Sequence, residues 1–405
     1  MQRFFCFFRD RFRRFPVIIQ LAPVRDYEKV KRMRSLIKTF TKKSSELEII
    51  NSFSARLTTK AIKALTHYTT VAKIYYDRDI RTLLDTAVPN VKSPYLWEQA
   101  CTGKGVTIAV LDTGFFPHPD LLLPTNRILA FKDFVKHRDK SMYDDNGHGT
   151  HCIGSAAGNG HSSNGKYRGP AYQANIVALK ILNKMGTGKS SVAIQALEWI
   201  RNNSKKFNIK IVSLSLGYKA TVSYREDPLC QALEEIWNSG IVVCTAAGNE
   251  GPAIKTINSP GIDPNLITVG AFNDNNTLAI NDNKIADFSS RGPTIDGLTK
   301  PDFLLPGANI TSARAKGSFL DKISENKAIA DWYLELSGTS MATPICAGII
   351  AQILEVNPKL SPPEIKKMLV QSCTKLGSMD GNNQGNGFVD CAKVYSNLNN
   401  KQSHI

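Results

Sequence analysis

The sequence predicts an α/β protein, a mostly parallel sheet flanked by helices, preceded by a small α+β domain. Three observations carry this. From residue 104 onward, apolar runs of strand length alternate with stretches at helical spacing, the rhythm of crossover-connected parallel strands. Those strand runs are apolar on both faces, as in V-T-I-A-V-L at 106–111, so they belong inside a sheet covered on both sides. Ahead of them, residues 16–84 read β-α-β-β-α-β, the order of a ferredoxin-like domain.

The small domain is built from strand candidates Val17–Leu21, Glu46–Leu57 and Val71–Tyr76, with helical spacing over Tyr27–Phe40 and Lys60–His67. Before it, residues 1–15 form a basic, aromatic segment. The longest apolar stretch there is Phe4–Phe8, too short for the apolar core of an export signal, so a cytoplasmic protein is expected. Residues 85–103 carry Pro89 and Pro94 among polar residues and read as a linker. Residues 104–398 form the main domain, and 399–405 a frayed tail.

Of the chain's net charge of +16, +12 lies in residues 1–84, which hold 19 Lys and Arg against 7 Asp and Glu. That imbalance suits contact with nucleic acid or an anionic membrane. No nucleic-acid motif accompanies it, and a solvated basic face accounts for it as well. No apolar run is long enough to predict a membrane span. The eight cysteines, at 6, 101, 152, 230, 244, 346, 373 and 391, include no C-x-x-C pair. Several sit in apolar strings and read as buried free thiols, which suits a reducing compartment.

Within the main domain the strand at 106–111 ends in Asp112-Thr113-Gly114. Reactive groups on open parallel sheets gather beyond the carboxyl ends of strands, which is where Asp112 falls. Asp144-Asp145-Asn146-Gly147-His148-Gly149-Thr150-His151 follows, with His148 between two glycines at a helix start. His148 and His151 have the i, i+3 spacing of a metal pair, but no H-E-x-x-H glutamate stands between them, and no metal is assigned. Asn175–Leu182 and Ile211–Leu216 are further strands, Ser191–Ile200 and Leu229–Ser239 helices. Gly186-Thr187-Gly188-Lys189-Ser190 imitates a phosphate loop, but Asn183 stands where its first glycine belongs. Gly103-x-Gly105 precedes its strand, so it is no dinucleotide fingerprint. Strand Ile241–Ala247 runs into Gly248-Asn249, which is either turn chemistry or an amide aimed into a site. A helix opens at Ser340 in E-L-S-G-T-S-M-A-T-P, with Pro344 expected in its first turn. A serine at a helix N-terminus is an ordinary cap, yet it also faces unpaired N–H groups suited to an oxyanion.

Asp112, His148 and Ser340 thus come in the order Asp…His…Ser. Of the convergent hydrolase triads, only the subtilisin template has that order. The local strings agree. V-L-D-T-G, N-G-H-G-T-H, A-A-G-N and G-T-S-M-A-T-P resemble the subtilase family of serine peptidases over about residues 104–398, and the longer strings D-D-N-G-H-G-T-H-C, Y-R-G-P-A, V-V-C-T-A-A-G-N and S-G-T-S-M-A-T-P-I-C-A-G resemble its AprX-type members from bacilli. The resemblance implies a subtilisin-like sheet and Asp112, His148 and Ser340 as the catalytic triad. It also implies that Asn249 holds the oxyanion, and that Gly186, Thr187, Gly188 and Ser215, Leu216, Gly217 pair with extended protein substrates. The chemistry needs no cofactor. The N-terminal domain would be a propeptide acting as an intramolecular inhibitor, cut between Arg81 and Pro94. Structural calcium is left unassigned. Asp120 matches one ligand position of a family site, but the partner loop Asn159–Tyr167 departs in length and ligands. Further departures are Ile153 and Tyr172, and Phe303 and Leu305 within K-P-D-F-L-L-P-G. No acidic residue in the strands expected to line the substrate pocket demands a basic side chain there. The rival expectation is a catalytically silent member of the fold used as a binding module.

Overall fold

The computed structural model describes residues 14–22, 27–41, 44–47, 52–76, 84–378 and 380–402. Two compact units divide the chain, Met1–Arg81 and Thr82–Ile405.

The first unit holds strands Arg14–Leu21, Ser44–Leu47, Ser52–Thr58 and Val71–Tyr76, and helices Tyr27–Phe40 and Thr59–Leu65. Its four strands are antiparallel, in spatial order second, third, first, fourth. Val17, Ile19 and Leu21 alternate onto one face and meet Met33 and Ile37 of the first helix in a core of their own. The stretch Glu46–Leu57, read as strand, holds two strands paired antiparallel, Ser44–Leu47 and Ser52–Thr58. The basic segment 1–15 lies outside the described residues except for Arg14 and Phe15, which begin the first strand.

The second unit is built on a ten-stranded sheet. Its parallel core runs, in spatial order, Phe303–Pro306, Ile267–Asn273, Val242–Ala246, Ile209–Leu214, Thr107–Asp112, Asn175–Lys180, Ile128–Asp133. Every residue of Thr107–Asp112 is buried, as a central strand covered on both faces requires. Helices Ser190–Phe207 and Pro228–Asn238 turn apolar faces inward. Thr339–Val356 is apolar and long enough to cross a membrane by composition, but it is buried in this core.

Residues 85–103 are not a linker. They form helices Leu84–Asn90 and Ser93–Glu98, and Ala87, Val88, Val91 and Leu96 are fully buried in the main core. Pro94 occupies the first turn of its helix, where a missing N–H costs nothing, so it starts structure here rather than breaking it. Asn90 donates to Thr277 O (3.0 Å), and Trp97 Nε1 donates to Pro170 O (2.7 Å). Residues 399–402, read as frayed, continue helix Cys391–Gln402. Phe303 and Leu305, two of the departures, are buried in a strand of the main sheet.

Candidate active site

Asp112 ends the central strand, and its neighbours in the sheet feed the two flanking loops. Asn175–Lys180 leads to Gly186-Thr187-Gly188, and Ile209–Leu214 leads to Ser215-Leu216-Gly217. Both emerge at the carboxyl edge, on either side of Asp112. The first loop is exposed and closed on itself, with Asn183 N donating to Thr187 O (2.9 Å).

His148 is the first residue of helix His148–Ala157. A helix start leaves N–H groups without intrahelical acceptors, and here side chains meet them. Asp144 accepts from Gly147 N (2.7 Å) and Thr150 N (2.9 Å), Asn146 Oδ1 from His148 N (3.1 Å), and Thr113 Oγ1 from Gly149 N (2.8 Å). Thr113 also donates to Asp144 (2.9 Å), so the turn after Asp112 and the helix start share one buried network. Gly149 lets them meet, because a Cβ there would lie 2.4 Å from Gly114 O. From the sheet side, Lys180 Nζ donates to Thr113 O (2.5 Å) and Asp145 Oδ1 (2.7 Å).

The result is a bond between His148 Nδ1 and both Asp112 oxygens, at 2.8 and 3.0 Å. Nδ1 keeps its proton and donates it in a hydrogen bond to the carboxylate, which leaves the lone pair on Nε2. Asp112 is 1% exposed and His148 23%. Burial by itself pushes the imidazole pKa down, but the Asp112 charge overrides it and holds the value well above 6.5. Cys152, one turn along, brings Sγ within 3.6 Å of His148 Nδ1; burial pushes its pKa up, so it stays a neutral thiol.

His151 does not converge with His148. Its Nε2 donates to Ile310 O (2.9 Å) and Leu334 O (3.1 Å), and burial lowers its pKa to about 3, so it is a neutral structural side chain.

Helix Thr339–Val356 presents Ser340 in its first turn. Pro344 lies a turn further in than expected, and its place matters. The N–H it lacks would have bonded Ser340 O. That carbonyl instead accepts from Ser215 Oγ (2.8 Å) and Cys152 Sγ (3.4 Å), tying the helix to both neighbours. Ser340 Oγ donates to Ser215 O (3.0 Å). Its proton is therefore not directed at His148 here. The free carbonyl at the end of the Ile209–Leu214 strand takes the hydroxyl, and nucleophile–base contacts often tighten only around bound substrate. Asn249 accepts at Oδ1 from Thr339 N (2.8 Å) and Thr339 Oγ1 (3.0 Å). Both donors fix the amide's orientation, so its exposed NH₂ is left to donate beside Ser340.

Next to Asn249 lies a cavity of about 640 Å³ lined by Glu250, Ile257, Asn258, Pro293 and Ile295, among others. Its lining includes the Glu250 carboxylate, which accepts from Asn258 Nδ2 (2.9 Å) and Ser290 Oγ (3.1 Å), together with Lys219 and Lys255. Asp120, offered to calcium, does not fit a metal: donors from Ser162 and Tyr333 occupy its carboxylate.

A buried Asp–His pair beside a helix-borne serine and a free amide, at the carboxyl edge of a parallel sheet, defines a serine hydrolase site. The chain belongs to the Subtilase family, which matches residues 103–388. It is 47% identical over 359 residues to "Serine protease AprX" of Bacillus subtilis (strain 168), covering 86% of this chain and 80% of that one. It is 32% identical over 348 residues to "M-protease" of Shouchella clausii (strain KSM-K16), covering 85% and 79%. The solved structure of "Sphericase" superposes with a TM-score of 0.60 at 31% identity, over 71% of this chain and 92% of that one; "S41 Psychrophilic Protease" gives 0.59 at 31%, with the same coverage. The protein is a serine endopeptidase with a subtilisin-like fold, and its substrates are proteins.

Proposed function

We propose that peptide bonds are cleaved through an Asp112–His148–Ser340 triad and an acyl-enzyme intermediate, by an enzyme made in the cytoplasm as a self-inhibited zymogen. The observation that carries this is the double contact of His148 Nδ1 with Asp112. It prepares Nε2 to take a proton. A peptide strand pairing with Ser215–Gly217 and Gly186–Gly188 competes for the Ser215 carbonyl and frees the Ser340 hydroxyl. His148 Nε2 removes that proton as Ser340 Oγ attacks the scissile carbonyl, then delivers it to the leaving amine. Water repeats the cycle on the ester. Asp112 stabilises the imidazolium throughout.

The Asn249 NH₂ and the Ser340 N–H hold the oxyanion. Asn249→Ala is expected to lower kcat about 100- to 1000-fold with little change in KM, read from initial rates on a peptide substrate. A comparable loss in KM alone would remove Asn249 from that role.

The zymogen reading rests on the separate, self-cored N-terminal unit and on the need to silence a broad peptidase inside a cell. The helix from Leu84 packs into the main core, which supports release at the Arg81 end of the expected Arg81–Pro94 stretch. An intact-mass time course with casein present, comparing wild type with Ser340→Ala, tests the reading. Wild type should shed the N-terminal unit and degrade casein while the variant does neither. Casein degradation without shedding ends the zymogen reading. Folded wild type that matches the variant throughout makes the chain a silent binding module.

A further inference from the structure

Calcium sites collect about six to eight oxygens around one cation. The loops beside Asp120 have the oxygens, but this chain supplies its own cation and donors. Arg127 is buried, and its guanidinium donates to Ala157 O (2.7 Å), Ala174 O (3.0 Å) and Asp120 O (2.5 Å). The Asp120 carboxylate, 1% exposed, accepts from Ser162 N at one oxygen (2.9 Å) and from Tyr333 OH at the other (2.8 Å). His118 adds no charge, since burial lowers its pKa. Its Nδ1 accepts from Asp120 N (3.1 Å), and its Nε2 donates to Trp332 O (2.7 Å).

The loop that would wrap a metal is closed by its own donors. Asn159 Oδ1 accepts from His161 N (2.9 Å), and Asn159 O from Arg168 Nε (3.3 Å). Gly160 O accepts from Ser163 N (2.9 Å) and Gly165 N (2.8 Å). A divalent cation placed here would displace these donors and sit beside a guanidinium that stays charged, its pKa lowered by burial only to about 10.

We propose that Arg127 and Tyr333 replace a structural calcium at Asp120, so that this corner of the catalytic unit is held without metal. The two residues join three distant stretches, 118–127, 157–174 and 332–333, which is the cross-linking a bound ion would perform. Tyr333 also begins strand Tyr333–Leu336, which leads into the Ser340 helix, so the substitution bears on the active site's support.

The test is thermal unfolding of the full chain carrying Ser340→Ala, which prevents self-digestion, in chelator and in millimolar calcium. In the otherwise unchanged chain the two buffers are expected to give the same Tm. A chelator-induced drop that Asp120→Asn abolishes overturns the proposal. A drop that Asp120→Asn retains comes from another site and supports it. Tyr333→Phe and Arg127→Gln should each lower Tm by about 5 °C or more, equally in both buffers. Where Asp120→Asn fails to fold, Tyr333→Phe decides. Calcium that returns its Tm to the starting value overturns the proposal; a deficit equal in both buffers upholds it.

Discussion

Ser340→Ala and His148→Ala are each expected to reduce kcat by about a millionfold, with the double variant no slower than either. The magnitude is that of the same losses in subtilisin, where nucleophile and base act as one unit. The geometry here gives the reason. A serine hydroxyl attacks only as its proton leaves, and His148 Nε2 is the acceptor the site provides once Nδ1 is committed to Asp112. Without the base, the Ser340 proton has only the Ser215 carbonyl, which holds it but cannot remove it. Without the nucleophile, the base has nothing to activate but water. Residual turnover above the uncatalysed rate, about a thousandfold, should persist in all three variants from Asn249 and substrate alignment. Single-turnover kinetics on a peptide ester checks this. An additive double variant would mean that base and nucleophile act independently.

The residues of the candidate site were readable in the sequence because each rests on a local pattern: Asp112 at the end of a six-residue strand, His148 between glycines at a helix start, Asn249 after another strand. What holds them was not. Asp144 ties the His148 helix start to Thr113, a partner 31 positions away, and Lys180 anchors the same turn across 67. Such contacts leave no mark in spacing. The Ile128–Asp133 strand escaped notice for a related reason. It lies at the sheet edge with one neighbour, and its middle is only partly buried, so I-L-A-F-K-D lacks the apolar run of a central strand. Proline misled twice. Pro94 opens a helix where a break was read, and Pro344 sits within a helix where it was expected at the start. In both places the decisive fact is where the missing N–H falls, and that depends on the helix's true first residue.

The lone carboxylate of Asp112 makes the pH profile diagnostic. His148 works as a base only when neutral, so activity is lost as pH falls through its pKa. Because the Asp112 charge holds that value well above 6.5, the acid limb of kcat/KM should have its midpoint above 6.5. Asp112→Asn removes the largest influence that raises the pKa and leaves burial, which acts in the opposite direction, against the smaller effect of Cys152. The midpoint should therefore move to lower pH, even as kcat falls about 10,000-fold. The fall comes from the tautomer. An amide that donates to Nδ1 sends the ring proton to Nε2, the atom that must accept from Ser340. The two effects have opposite signs on the acid side, so the variant's relative activity should rise as pH drops. A variant slowed equally at every pH would show that Asp112 holds the ring in place without setting its charge.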